Sequence, residues 1–215
     1  HFKGGIVSFV EFLIESKSPI TKKPIYFHTQ KDNIDIEVAI AYIDTYTESV
    51  FTYANNINTR EGGTHLVGFK SALTRVLNDS LKKEKYDKKM QQLSGDDVRE
   101  GLVGIISVKI PNPQFEGQTK MKLGNNEVKG IVESATNEHL SIYFEENPPI
   151  VRKILEKCIV SAQARIEAKK AKDLTRRKNA LEYDSLPGKL SDCSEKDAAK
   201  CEIYLPHISH QMLKY

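Results

Sequence analysis

Apolar and polar positions change their period several times along the chain, and each period predicts an element. Ile6, Phe9, Val10 and Leu13 recur at helical spacing, and Pro19 closes that segment. Residues 24–30 can form a short strand. Ile34, Ile36, Val38, Ile40 and Tyr42 then alternate with Asp35, Glu37 and smaller residues, the period of two that marks a strand. Asp44 to Thr47 can turn the chain, and Ser49 to Tyr53 is rich in β-formers, so the pattern predicts a hairpin of these two strands. The polar stretch Asn55 to Gly63 has turn chemistry. Thr64 is suited to cap a helix, and Leu66, Phe69, Leu73, Val76 and Leu77 give that helix an apolar stripe. Residues 82–92 are a charged helix end or loop.

Leu102 to Ile110 is apolar on both faces and β-branched, which predicts an interior strand ended by Pro111 and Pro113. A long loop, residues 111–126, leads to a helix over Glu127 to Glu146 with Val128, Ile131, Val132, Ala135 and Ile142 inward. Pro148 and Pro149 break it. Val151, Ile154, Leu155, Cys158, Ile159, Ala162 and Ile166 trace a further stripe, and helix formers continue to Lys178. That gives 28 residues, about 42 Å of helix. Beyond Ala162 the stripe thins and the surface turns basic. Residues 181–215 read as loop with a short strand at Glu202 to Leu205. The order of elements is α+β: a small sheet with helices packed on it.

Composition narrows the class. With 39% hydrophobic and 28% charged residues the chain reads as globular, and it has no apolar run near the ~20 residues that span a bilayer. No secretory signal is visible, and a chain that does not open on Met is expected to be a fragment. Cys158, Cys193 and Cys201 form no CxxC pair and read as free, inert thiols in a reducing compartment. The net charge of +3 does not by itself imply nucleic acid, but its distribution is uneven. Between Val151 and Lys178 ten Lys/Arg face three acids, a balance that is either a solvated face or an attraction to phosphate backbone.

Local motifs are few. The chain has no GxxxxGK, GxGxxG, HExxH or GxSxG. His207 and His210 have metal-ligand spacing but no carboxylate or thiolate beside them. Gly62-Gly63 before a helix is either a tight turn and cap or an anion-binding helix start. Gln118-Thr119-Lys120 lies in the long loop; a neutral donor with a mobile cation suits a terminal phosphate, but taken alone a surface lysine in a loop reads as a solvated side chain.

Several segments together resemble one family. Gly62-Gly63-Thr64-His65-Leu66 with Gly68-Phe69, Asp96 to Leu102 (DDVREGL), Pro111 to Lys120 (PNPQFEGQTK), Asp173 to Lys178 (DLTRRK) and Leu186 to Cys193 (LPGKLSDC) resemble, in order, five segments of the ATPase subunits of bacterial type IIA topoisomerases. Gyrase and topoisomerase IV share these segments. The resemblance runs to about Leu205, after which the family's VEGDSAGG is replaced by PHISHQMLKY. It implies a transducer of ribosomal protein S5 domain 2-like fold, with a small mixed sheet, helices on one face, a left-handed β-α-β crossover and a long C-terminal exit helix. It implies a body over residues 1–150, a basic exit helix over 151–180, the start of a TOPRIM-side segment over 181–205, and a tail, 206–215, that is divergent or added in cloning.

The implied function is ATP-to-DNA coupling in an ATP-hydrolysing isomerase. Gln118 and Lys120 would contact the ATP γ-phosphate, and Lys169, Lys170, Arg176 and Arg177 would guide DNA. ATP and magnesium belong to the intact protein; the fragment itself is expected to bind neither, to hold no metal and to be non-catalytic. The implied partners are the ATPase and TOPRIM domains of the same subunit, the DNA-cleaving gyrase A-type subunit, double-stranded DNA and, with ATP bound, a second copy. The implied location is the cytoplasm. From the residues alone, a non-enzymatic nucleic-acid-binding module and a scaffold protein are the other readings.

Overall fold

A computed structural model describes residues 3–21, 23–84 and 92–183 of the chain, with side chains to residue 176. The chain divides into two compact units, His1–Glu167 and Ala168–Tyr215. The first holds a five-stranded sheet in the order β1-β2-β5-β3-β4. Its strands are β1 (Ile25–Lys31), β2 (Ile34–Tyr42), β3 (Ser49–Ala54), β4 (Ile57–Asn58) and β5 (Leu102–Lys109). The helices are α1 (Gly5–Ile14), α2 (Thr64–Lys83), α3 (Gly95–Arg99), α4 (Asn126–Glu146) and α5 (Pro148–Tyr183), and β6 (Phe115–Glu116) pairs with β7 (Lys122–Leu123) as a separate hairpin. The described part of the second unit is the stretch of α5 over 168–183.

The expected hairpin of residues 34–42 with 49–53 does not form. β2 pairs antiparallel with β1, from Ile25↔Ile40 to Lys31↔Ile34, and its other edge meets β5. β3 lies parallel to β5, from Ser49↔Val103 to Ala54↔Val108. The reason is in the turns. Asp32 and Asn33 have φ of 52° and 61°, and Asn55 and Asn56 have 49° and 65°. Asp and Asn tolerate this left-handed region, and paired positive φ values match strand twist in tight hairpins. Those two turns make β1–β2 and β3–β4 the local hairpins. The Asn55 side chain also stands in for a strand neighbour. Its amide donates to the Ile110 carbonyl at 2.8 Å and accepts from the Ile110 N–H at 2.7 Å.

The pleat sorts side chains between two layers. Ile34, Ile36, Val38, Ile40 and Tyr42 of β2 join Leu102, Ile106 and Val108 of β5 in the main core, under Phe69, Leu73 and Leu77 of α2, Val128, Val132 and Leu140 of α4, and Val151, Ile154, Leu155 and Cys158 of α5. Ala39, Ala41, Ile43, Val103 and Ile105 point the other way and receive Val10 and Ile14 of α1. Helices therefore cover both faces, not one; the small Ala39 and Ala41 let α1 approach. Burying each large aliphatic side chain contributes about 1.5–3 kcal/mol.

The helix ends correct further expectations. Gly63, not Thr64, is the N-cap of α2, and the Thr64 hydroxyl makes no hydrogen bond. In α4 the inward residues include Leu140 and Phe144, while Ile142 is exposed. Helix α5 has 36 residues, because Pro148 and Pro149 sit in its first turn, where no backbone N–H is needed, and because it continues to Tyr183. Its buried stripe ends at Ala162, and Ile166 is exposed. Helix α3 is held by a capping box, with Ser94 Oγ accepting from the Asp97 N–H and the Asp97 carboxylate accepting from the Ser94 N–H.

Asn78 of α2 is bonded to the backbone just ahead of α3. Its Oδ1 accepts from the Leu93 N–H at 2.8 Å and its amide donates to the Leu93 carbonyl at 3.1 Å, both buried. Removing one partner of a buried hydrogen bond costs about 1–3 kcal/mol. Asn78→Ala is therefore expected to lower the urea midpoint with little change in slope. Ser80→Ala, which loses only a bond to the Val76 carbonyl of its own helix, is expected to change it far less. Equal shifts in the two variants would contradict this role for Asn78.

Candidate functional site

The loop over 111–126 has its own structure. Asn125, 3% exposed, accepts from the Gln114 N–H at 2.7 Å and donates to the Asn112 carbonyl at 3.1 Å. Inside that brace, Phe115 pairs with Leu123 and Glu116 with Lys122, whose ammonium lies 2.8 Å from the Glu116 carboxylate. The hairpin tip is residues 117–121. Gly117 has φ of 77° and Lys120 of 54°. Gln118, Thr119 and Lys120 are exposed, and among the described residues no carboxylate pairs with the Lys120 ammonium.

The tip is fixed from behind by the start of α2. The Glu61 N–H donates to the Met121 carbonyl at 3.0 Å, the Leu123 N–H donates to the Gly62 carbonyl at 3.1 Å, and Gly63 bridges Leu123 in parallel. A third short chain segment thus pairs with the hairpin. Gly63 has φ of 136°, and a Cβ there would come within 2.4 Å of the Leu123 carbonyl oxygen. Only glycine permits that approach. Of the two readings of Gly62-Gly63, the geometry gives the tight turn and cap: the space beside Gly63 is filled by backbone. Leu123 itself is fully buried, so the base of the hairpin is part of the core.

Behind this seat lies a buried polar chain. The Thr52 hydroxyl is 2.7 Å from both the carbonyl and the hydroxyl of Thr59, and Thr59 Oγ1 is 3.2 Å from His65 Nε2. All three contacts are satisfied when Thr52 donates to the carbonyl, Thr59 donates to Thr52, and His65 carries its proton on Nε2. The fully buried His65 then presents Nδ1 as a bare acceptor, which has no partner. Burial lowers its pKa to about 4, so the ring is neutral at pH 7. Sequence reading did not single out Thr52 or Thr59; their contact depends on β3–β4 pairing.

The other expected residues fall elsewhere. Lys169, Lys170 and Arg176 are exposed on α5 in the second unit, and the side chain of Arg177 lies outside the described residues, as do Cys193, Cys201, His207, His210 and residues 202–205. Cys158 is buried and its thiol is pushed up to about 12 by burial, in keeping with an inert cysteine. Among the described residues no three His, Cys, Asp or Glu could hold a metal ion, and no helix is long and apolar enough to cross a membrane.

A family model for DNA gyrase B matches residues 5–174, which include the hairpin, its glycine seat and most of α5. The chain belongs to the DNA gyrase B family. It is 56% identical over 209 residues to the DNA gyrase B protein of Treponema denticola, across 95% of this chain and 33% of that protein. The chain thus spans about a third of the length of the curated relative. Among solved structures it is similar to the 43K ATPase domain of Thermus thermophilus gyrase B in complex with an aminocoumarin, with a TM-score of 0.73 and 42% identity over 80% of this chain and 46% of that one. It is also similar to the topoisomerase IV ATP-binding domain of Francisella tularensis in complex with a small-molecule inhibitor, with a TM-score of 0.66 and 28% identity over 77% and 44% of the two chains. The mixed α+β architecture is similar to that of the gyrase B domain.

The buried histidine of this family member gives a pH dependence of known sign. Its folded value of about 4 lies below the ordinary 6.5, so the unfolded chain takes up the proton first as pH falls. The stability contribution is complete above pH 6.5 and is lost between 6.5 and about 4, by about 3 kcal/mol. Unfolding free energies measured across that window are expected to fall with pH in the parent chain and to fall less in His65→Gln. Identical slopes in the two would contradict a neutral buried His65.

Proposed function

We propose that this segment is the transducer of an ATP-dependent type IIA DNA topoisomerase, and that its Gln118–Lys120 hairpin contacts the γ-phosphate of ATP bound to the ATPase domain of the same subunit. The observation that carries the reading is the hairpin itself: an exposed cation with no carboxylate partner among the described residues, at the tip of a turn whose base is buried and pinned to Gly62 and Gly63. An unpaired ammonium on a fixed support suits a terminal phosphate, because a charge held in place before reaction stabilises developing charge without reorganisation. The family membership supports the same assignment.

In this reading the crossover from β3 through α2 to β5 is the left-handed one of an S5 domain 2-like fold. Residues 1–150 form the transducer body, 151–180 the exit helix, 181–205 the approach to a TOPRIM domain and 206–215 a tail of other origin. Magnesium binds with ATP on the ATPase domain. Nucleotide closes two copies of the subunit around a duplex, and the gyrase A-type subunit cleaves DNA. The setting is the cytoplasm.

The test is made in the full-length subunit. Lys120→Ala is expected to lower ATP turnover about 10²–10³-fold, the usual loss for one pre-organised donor, while nucleotide binding is largely kept. Gln118→Ala is expected to do less, because a neutral donor contributes less than a charged one. Near-normal turnover in both variants would overturn the assignment.

The exposed Lys169, Lys170 and Arg176 support DNA guidance by α5, together with Arg177. Contacts of this kind act on phosphates and carry no base preference. Changing all four to Gln is expected to weaken DNA-stimulated turnover most at low salt and less as salt rises, because each lost phosphate contact lowers the salt slope by about one unit. DNA stimulation that stays unchanged at every salt concentration would make the charge incidental. The same exposed charges are what favour the alternative, a non-enzymatic nucleic-acid-binding module, which requires salt-sensitive duplex binding by the segment alone.

A further inference from the structure

The DDVREGL segment, Asp96 to Leu102, takes no part in the hairpin. Two of its side chains, Asp97 and Glu100, bond instead to α5. Lys157, Ser161 and Arg165 stand four residues apart, a spacing that lines them up along one face of a helix. The Arg165 guanidinium donates through Nε and Nη2 to the two oxygens of Asp97, at 2.8 and 2.9 Å. The Ser161 hydroxyl donates to Glu100 Oε2 at 2.5 Å, and the Lys157 ammonium lies 3.9 Å from both Glu100 and Asp44. Gly101, with φ of 73°, completes the seam: a Cβ there would meet the Ile43 carbonyl oxygen at 2.3 Å and Lys157 Cε at 2.5 Å.

Asp97 is the centre of this arrangement. It is 1% exposed, and its carboxylate serves the α3 cap and Arg165 at once. Burial pushes its pKa up, but the bonds from Arg165 and Ser94 outweigh burial and hold it below the ordinary value. The apolar stripe of α5 ends at Ala162, so Arg165 is a polar fastening one turn past the last buried apolar contact. Apolar contact alone is non-directional and leaves a helix free to rotate or slip. A bidentate charged pair fixes rotation and register, and breaking it strands a buried carboxylate.

We propose that Asp97, Glu100, Ser161 and Arg165 are positioning residues. They latch α5 to the α3–β5 junction so that nucleotide turnover is converted into strand passage. They touch neither nucleotide nor DNA. The proposal rests on the transducer reading above and adds which contacts make turnover productive.

The experiment uses the full-length subunit assembled with its DNA-cleaving partner. It records ATP hydrolysed per change in DNA linking number, ATP turnover without DNA, and the melting temperature. Arg165→Ala is expected to leave DNA-free turnover within about twofold and to raise ATP consumed per strand passage about tenfold, the scale of coupling changes from single substitutions. Arg165→Lys, which keeps the charge with a single point of contact, is expected to recover part of the loss. Ser161→Ala strands no charge and is expected to shift the ratio in the same direction by less. An unchanged ratio in folded Arg165→Ala would overturn the proposal. So would a loss of both activities in step with lost folding in Arg165→Ala, combined with an unchanged ratio in Ser161→Ala. Failure of the γ-phosphate reading is recognised separately, by normal turnover in Lys120→Ala.

Discussion

Strand β5 is the constraint on which the rest of the first unit depends. It enters the sheet between β2 and β3, antiparallel to one and parallel to the other, and is buried on both faces except at Lys109. A parallel neighbour cannot be reached by a tight turn, so the chain must cross the sheet between β3 and β5. That crossing carries α2 and α3. Supports for the hairpin and for α5 both lie on it. Where the crossing begins, Gly62 and Gly63 hold the hairpin; where it ends, Asp97 and Glu100 hold α5. The geometry of one buried strand thus places the support of the hairpin and the helix fastening at opposite ends of a single connection.

Much of this was legible from local pattern. The alternation from Ile34 to Tyr42, the stripe on residues 64–83 and the two-faced apolarity of residues 102–109 each gave the right element. What failed was the partnering of strands. A local reading joins neighbours, and β2 and β3 are neighbours in sequence; the decisive partner arrives about fifty residues later. The signal against that hairpin was present in the Asp32-Asn33 and Asn55-Asn56 pairs, which accept positive φ and so mark the true turns. The α3 helix, five residues long, is too short for periodicity, although Ser94 and Asp97 spell its capping box.

The candidate sites were legible to different degrees. Gln118 and Lys120 looked like any solvated loop residues, and only the resemblance between segments gave them a role. Their support by residues 61–63 could not be read at all, because it joins positions some sixty residues apart through backbone bonds that leave no side-chain pattern beyond two glycines. Arg165 shows the converse. Counted by charge it belongs with the basic surface of α5, yet its charge is already spent on Asp97. A tally of lysines and arginines therefore overstates the charge that α5 offers to a polyanion.

The left-handed backbone of Lys120 sets a conflict between shape and charge at the hairpin tip. An L-residue at φ of 54° carries a steric cost of about 1–2 kcal/mol that glycine would remove. Glycine, however, has no ammonium. Mutation among the twenty standard residues can therefore ease the turn or keep the cation, but not both. Mirror-image chemistry separates the two: a D-lysine introduced at 120 by semisynthesis prefers this region of φ and retains the charge. The hairpin would then be stiffer with its electrostatics intact, which makes stereochemistry at one α-carbon a means of asking how much of the tip's work depends on its freedom to move.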